Sequence, residues 1–157
     1  MDRDVLAAIR NLLEGSRVLS LAVIVDGEAE AALLPFALRA DYRAVYVQAS
    51  GLARHARGLQ PRAQVGVLVH ANDTPEADPM QLPRLTVQAT VSALDKSSEA
   101  FRSASARFIE RFPGAEVTLA LGDFNLYELT LGRGRYIEGF ARAFNVGPHT
   151  FGELASA

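Results

Sequence analysis

Apolar and polar residues alternate along residues 84–94, which is the clearest pattern in the chain. A two-residue period predicts a β-strand with one buried and one solvated face. The apolar positions are Leu85, Val87, Ala89, Val91 and Ala93, and the polar positions are Arg84, Thr86, Gln88, Thr90 and Ser92. Aliphatic and β-branched runs predict further strands over 17–25, 29–38, 44–48, 64–70, 124–131 and 135–138.

Apolar residues recur at helical spacing in two other segments. Asp2 or Asp4 can cap a first helix that runs to about Glu14 and ends at Gly15. Ser97 or Ser98 can cap a second helix that runs to about Phe112. A short helix over 115–121 follows the break at Pro113-Gly114.

Turn residues separate the predicted strands. Asp26-Gly27 indicates a hairpin, and Gly132-Arg133-Gly134 is expected to turn the chain between the last two strands. Pro35 interrupts its strand, which is typical of an edge, a bulge or a ligand-facing irregularity. The Pro-rich segment 71–83 is predicted to be a loop, and the tail 145–157 has weak order signals.

Together these elements predict a mainly β (α+β) protein. Six or seven strands joined by short turns favour an antiparallel sheet or barrel, and the absence of regular βαβ alternation argues against a parallel sheet. A length of 157 residues fits a single domain over 1–157.

Composition narrows the function classes. A formal net charge of -2 and a pI of about 5.9 do not favour nucleic acid as a partner. The chain has no Cys, which excludes disulfides, thiolate metal sites and a catalytic thiol. We expect a soluble, cytoplasmic protein without membrane contact, because the N-terminus lacks signal-peptide features and the apolar runs are strand-sized.

The segment from Ser50 to Leu59 carries the candidate chemistry. Ser50 is a typical N-cap residue, and Arg54, His55 and Arg57 add three potential cations in four positions. Unpaired N–H groups at a helix start and an Arg fork both match phosphate oxygens, so a phosphorylated ligand is predicted here. The alternative is a solvated basic face on an ordinary connecting helix.

Five segments in this order resemble the flavin-binding split-barrel family, the pyridoxamine-phosphate-oxidase-like proteins, and within it the haem-utilisation subgroup. They are Leu33–Leu38, Ser50–Arg57, Asp78–Thr86, Gly122–Tyr127 and Gly139–Ala143. The resemblance covers the chain from about Leu12 to Phe144. It implies a six-stranded antiparallel split β-barrel with flanking helices, paired into a homodimer that holds two FMN molecules in clefts between the subunits.

The resemblance also implies the residues that contact FMN. Arg54 and His55 match residues that hold its phosphate, and Ser50 lies at the same phosphate-binding start. The other matched positions are Leu34, Pro35 and Phe36 along the isoalloxazine edge, Gln48 on the neighbouring strand, Arg84 at the flavin, and Arg142 within a C-terminal segment near the cleft. The chain departs from the family at His55, Ala56 and Gly58, where relatives often have Lys, Thr and Asn.

Three functions follow from these observations. The first is an FMN-dependent oxidoreductase of unidentified small-molecule substrate; classical pyridoxamine-phosphate oxidation is not expected, because the Arg-x-His pair of those enzymes is missing. The second is haem binding or degradation, with His149 as the candidate iron ligand and His70 after it. The third is non-catalytic flavin binding. The three His residues are too widely spaced in sequence to indicate a metal cluster.

Overall fold

Seven strands and four α-helices make up the structure, a computed structural model that describes residues 1–157. The strands are β1 (Val18–Val25), β2 (Glu28–Leu38), β3 (Ala44–Ser50), β4 (Gln64–His70), β5 (Arg84–Ala93), β6 (Phe124–Gly139) and β7 (Arg142–Val146). The helices are α1 (Arg3–Gly15), α2 (Glu99–Arg111), α3 (Ala115–Leu119) and α4 (Pro148–Glu153). No helix has the length and apolar character required to span a membrane.

Six of the strands close into an antiparallel barrel. The hydrogen-bonded order is β3-β2-β1-β4-β5-β6, and β3 also pairs with β6, from Ala44 opposite Thr130 to Ser50 opposite Phe124. Strand β7 pairs with the second half of β6, outside the closed ring. The predicted six-stranded antiparallel split barrel with flanking helices is therefore confirmed.

The barrel interior holds the main hydrophobic core. Leu85, Val87, Ala89 and Val91 of β5 are buried, as the alternation predicts, while Ala93 is exposed beyond the end of the core. Helix α1, capped by the Asp2 side chain, adds its apolar stripe to this core: Val5, Leu6, Ile9, Leu12 and Leu13. Helices α2 and α3 cover a second, smaller cluster on β2, β3 and β6.

The turn predicted at Gly132-Arg133-Gly134 is wrong, because β6 runs unbroken through it. These glycines allow close contact between strands. A Cβ on Gly134 would collide with Thr86 O and lie 2.7 Å from Val87 Cα, and one on Gly132 would lie 3.0 Å from Gln88 O. The pairing register shifts between Val87 and Ala89 at the same place, so the glycines accommodate a bulge.

The tail past residue 144 differs from its predicted weak order. Strand β7 and helix α4 occupy most of it, and the side chains of Phe151 and Leu154 are fully buried in the main core. Thr150 Oγ1 accepts a hydrogen bond from Gly147 N at 3.2 Å and fixes the start of α4. Gly147 caps and Pro148 begins a packed helix, so these two residues do not mark a disordered tail here.

The helix predicted to start at Ser50 is also absent. Ser50 ends β3, and the basic segment forms one 3-10 turn over Arg54–Gly58 with no side-chain cap at Ala53. Ala56 and Leu59 insert into the core, and a Cβ on Gly58 would lie 2.7 Å from Val23 Cβ. Packing against β1 holds the segment as a tight turn and leaves no length for a regular helix.

We predict that Gly134→Ala lowers the free energy of unfolding by about 1–3 kcal/mol or prevents folding, since the added methyl group meets backbone that cannot move without opening the β5–β6 pairing. The measurement is urea unfolding followed by circular dichroism. Gly114→Ala is the matched control, because nothing lies within 4 Å of its added Cβ. Equal unfolding midpoints for the two variants would contradict the role given to Gly134.

Candidate functional site

The predicted phosphate-binding turn lies at the end of the barrel where β1 and β2 form their hairpin. Arg54 Nη2 is 3.1 Å from Glu28 Oε2, and Arg54 Nε donates to Glu30 Oε1. The hydrogen bond from Arg54 to Glu30 raises the pKa of the guanidinium, so Arg54 stays charged. Its charge faces two carboxylates of the same protein.

The other two predicted cations of this turn do not extend a phosphate site. Arg57 Nη2 lies 2.8 Å from Asp26 Oδ2, which places its charge on a third carboxylate. His55 points inward, and its Nε2 is buried without a hydrogen-bond partner in the protein. The two guanidinium groups and the three carboxylates that pair with them carry one net negative charge at this end of the barrel.

The Ser50 side chain forms a hydrogen bond with Asp123, a residue that the sequence analysis did not single out. Its Oγ donates to Asp123 Oδ2 at 2.6 Å and accepts from Leu52 N at 3.2 Å. Gly51 N also donates to Asp123 O, at 2.6 Å. The hydroxyl thus links the end of β3 to the start of β6, and a carboxylate stands where a phosphate was expected.

Pro35 and Gln48 do come together. They line a 400 Å³ cavity beneath helices α2 and α3, whose other lining residues are Arg17, Phe108, Phe112, Pro113, Gly114, Ala115 and Thr118. Gln48 Nε2 donates to Thr118 Oγ1 at 2.6 Å. Leu34 and Phe36, the other residues predicted at the isoalloxazine edge, turn their side chains into the core, so only their backbone borders this region.

A half-buried arginine, Arg111, contacts Phe112, which lines this cavity. The Arg111 guanidinium stacks over the rings of Phe36 and Phe112, at 5.0 and 5.8 Å from their centres. Its hydrogen-bond acceptors are the backbone carbonyls of Glu14 and Ser16. Burial lowers the pKa of Arg111, and the charge of nearby Arg17 lowers it further.

Arg84 and Arg142 lie at the opposite end of the barrel from Arg54. Arg84 is paired with His70 across β4 and with Ile137 across β6, and its Nη1 donates to Leu82 O at 3.0 Å and to Met80 O. Arg142 forms an ion pair with Glu138 within the β6–β7 hairpin. Within one chain, Arg84 and Arg142 therefore lie far from Arg54. Because the predicted flavin clefts lie between two subunits, this separation leaves the prediction untested.

A large apolar surface faces outward from the barrel, and the sequence analysis did not identify it. We define the apolar face as Val18, Ala22 and Ile24 of β1 with Ala29, Ala31, Leu33 and Pro35 of β2. The side chains of Ile24 and Leu33 are about two thirds exposed, at 62% and 67%. The alternation Glu28-Ala29-Glu30-Ala31 is a signal for it, because both charged side chains face the barrel end and both alanines face out.

Two arginines border this face on the far side of β4. We define them as the arginine edge: Arg133 and Arg135 of β6. Arg133 Nε donates to Gln88 Oε1 at 3.0 Å and Arg135 Nη1 to Asn145 Oδ1 at 3.4 Å, and neither guanidinium forms an ion pair with a carboxylate. These two positive charges are therefore not neutralised within the protein.

Two adjoining cavities lie along the arginine edge. They measure 470 and 630 Å³ and share Gly66, Gln88 and Arg133, and each falls within the size range of small-molecule sites. One continues onto Ala22, Ile24 and Ala29 of the apolar face, and the other reaches Arg135, Asn145 and Val146. The combined surface is apolar on one side and cationic on the other.

The predicted iron ligands differ in their accessibility. His149 is the second residue of α4. Its side chain is 86% exposed, and its Nδ1 lies 3.3 Å from Glu153 Oε1. His70 ends β4, and its Nδ1 lies 2.7 Å from Ala71 O. His149 does not line the cavities of the arginine edge, but it follows Val146, which does, by three residues.

Comparison with known proteins relates the chain to haem proteins of the same fold. The haem oxygenase HutZ of Vibrio cholerae is 29% identical over 140 residues, which are 88% of this chain and 78% of HutZ. A crystal structure of HutZ from Vibrio cholerae, there described as a haem storage protein, matches with a TM-score of 0.71 at 27% identity, over 82% of this chain and 90% of that one. No protein-family model matches the chain.

Two more distant structures share the fold. A haem-binding protein from Mycobacterium smegmatis has a TM-score of 0.83 at 19% identity; the match covers 97% of this chain but only 61% of the longer protein. A general stress protein 26 relative of the pyridoxinephosphate oxidase family, from Clostridium acetobutylicum, has a TM-score of 0.69 at 13% identity, with 96% and 99% covered. The chain therefore has the split-barrel fold of the pyridoxamine-phosphate-oxidase-like proteins, and its sequence is similar to that of a haem-utilisation protein with this fold.

Proposed function

We propose that the chain binds haem at the arginine edge. The observation that carries the proposal is the pair of guanidinium groups, Arg133 and Arg135, that have no carboxylate partner and border an open cavity with apolar walls. Haem is a flat apolar ring with two carboxylates on one side. Such a ligand needs apolar contact for the ring and cations for its carboxylates, and both are offered here side by side.

The surrounding residues suit a flat ligand. Ala22 and Gly66 are paired across β1 and β4 and present almost no side chain, so a ring can lie close to the strands. Thr86 and Gln88 add hydrogen-bonding groups beside the guanidinium groups. HutZ, the relative with this fold, is a haem oxygenase by name, which supports haem over other planar anions.

His149 is the residue we assign to the iron. The imidazole is exposed, so its Nε2 is accessible to iron while Nδ1 stays next to Glu153. A carboxylate at the second ring nitrogen commonly orients a metal-bound histidine. Bound haem would supply the oxygen chemistry, as a cofactor-dependent activity. The protein would hold the ring, orient the imidazole and neutralise the carboxylates.

We also propose that two copies of the chain pair through the part of the apolar face that does not line the haem cavity, namely Val18, Ala31, Leu33 and Pro35. Exposed apolar residues are normal when scattered, but here they are contiguous on two adjacent strands. The charged side chains Glu28 and Glu30 point away from this surface, so a second copy would meet few charges. The arginine edge would then lie at the margin of the dimer.

FMN binding, with or without oxidoreductase activity, is the second candidate. The observation in its favour is that Pro35 and Gln48 line one cavity with Phe108 and Phe112, which can contact an aromatic ring. Its phosphate would have to compete with Glu28 and Glu30 for Arg54. We therefore rank haem first.

The first prediction for haem concerns the arginine edge. The double variant Arg133→Gln/Arg135→Gln should bind hemin about ten- to a hundred-fold more weakly, because charge-assisted hydrogen bonds to its carboxylates are lost. Soret-band titration measures this. The control is Arg102→Gln, which removes an exposed arginine paired with Glu99 on α2. The dimethyl ester of hemin should bind the wild type and the double variant alike, and a hemin affinity unchanged by the double variant would refute the assignment.

The second prediction concerns the iron ligand. His149→Ala should shift the Soret maximum of the hemin complex, because the axial ligand is lost, while the arginine edge still retains the porphyrin. The matched control is His70→Ala, whose spectrum should equal that of the wild type. Identical spectra for wild type and His149→Ala would remove His149 from the site.

The third prediction concerns the apolar face. Leu33→Glu should convert the dimer to a monomer, because a buried, unpaired carboxylate in the interface is strongly unfavourable. Light scattering should give a wild-type mass of twice 16.9 kDa and a variant mass of 16.9 kDa. The control is Leu52→Glu, since Leu52 is 87% exposed and lies outside the apolar face. A wild type that is monomeric, or a Leu33→Glu dimer, would contradict the proposal.

A further inference from the structure

Three carboxylates and two guanidinium groups close the hairpin end of the barrel. Glu28 and Glu30 hold Arg54, and Asp26 holds Arg57. All three carboxylates come from the β1–β2 hairpin, and both arginines come from the 3-10 turn. Three neighbouring ion pairs therefore tie one short turn to one hairpin.

Strand register explains why these carboxylates face the turn. Glu28 pairs with Val25 and Glu30 pairs with Val23, whose side chains are buried. The two Glu side chains thus share the inward side of the strands at the barrel end. Gly58 packs on Val23 with no room for a Cβ, which holds the turn, and with it Arg54, above the carboxylates.

We propose that Glu28 and Glu30 are specificity residues that keep phosphate monoesters, FMN among them, away from Arg54. A phosphate group carries a charge of about −1.5 to −2 at neutral pH. It would approach a cluster that already has one net negative charge, and it would have to separate Arg54 from two carboxylates. The Glu30 side chain is only 28% exposed, so losing its cation would leave a poorly hydrated charge.

The same contacts give the turn a different role from the one its sequence indicates. Four residues of the segment 54–59 serve the fold: Arg54 and Arg57 bind the hairpin, and Ala56 and Leu59 fill the core. The two arginines at the arginine edge have no such partners. The chain therefore directs anionic ligands to one surface and excludes them from the other. This inference does not depend on haem being the ligand at the arginine edge.

The test compares FMN with riboflavin, which lacks the phosphate. Flavin fluorescence titration gives the ratio of the two dissociation constants, and that ratio reports the phosphate contact alone. We expect the wild type to show no preference for FMN. Glu28→Gln/Glu30→Gln should prefer FMN by at least about tenfold, because Arg54 keeps a similarly shaped neighbour but loses the competing charges. Adding Arg54→Gln to the double variant should abolish the preference.

The controls separate this inference from the others. Glu99→Gln, which removes the partner of Arg102 on α2, should behave as the wild type. Glu28→Gln alone, at an exposed position, should fold and show part of the gain. Hemin affinity should be the same in the double variant and the wild type, so failure of the haem proposal leaves this result intact. A wild type that prefers FMN, or a double variant that does not, would overturn the inference.

Discussion

The pairing of β3 with β6 is the constraint on which the rest of the structure depends. It closes six strands into a barrel through residues 124–130 of β6, and β6 then continues beyond this stretch in close approach to β5. Gly132 and Gly134 permit that approach because any side chain would meet the backbone of β5. Arg133, between them, is exposed on the outer face and forms part of the arginine edge.

The two basic segments of the chain, the 3-10 turn Arg54–Gly58 and the arginine edge, have different roles in the closed barrel. At the hairpin end, the chain must cover an opening where Glu28 and Glu30 face inward, and Arg54 neutralises them. On the outer face, Arg133 and Arg135 meet only amide side chains and remain available to an anion. A basic residue therefore indicates an anion-binding site only where no carboxylate of the same chain pairs with it, since such a carboxylate can neutralise its charge equally well.

The hydrophobic pattern predicted β1 to β6, α1 and α2, because burial imposes a strict period on each, but it did not predict β7. The pattern favoured an antiparallel sheet or barrel, and the family resemblance implied the six-stranded barrel. It misread Gly132-Arg133-Gly134, where glycine serves contact between strands that are distant in sequence, and it missed α4, whose packing depends on Phe151 entering a core built elsewhere. The candidate functional site was less predictable from the sequence than the fold. Arg54 and Pro35 lie in the segments that resemble the family, yet the carboxylates that hold Arg54 and the apolar face appear only after strand pairing aligns Glu28, Glu30 and their neighbours.

The most direct test of the central claim is a crystal structure of the chain with bound hemin. The account predicts a porphyrin lying over Ala22 and Gly66, with its carboxylates at Arg133 and Arg135 and with Arg54 still paired with Glu28 and Glu30. A porphyrin seated instead in the cavity of Pro35, Gln48 and Phe112, or held by Arg54, would contradict it.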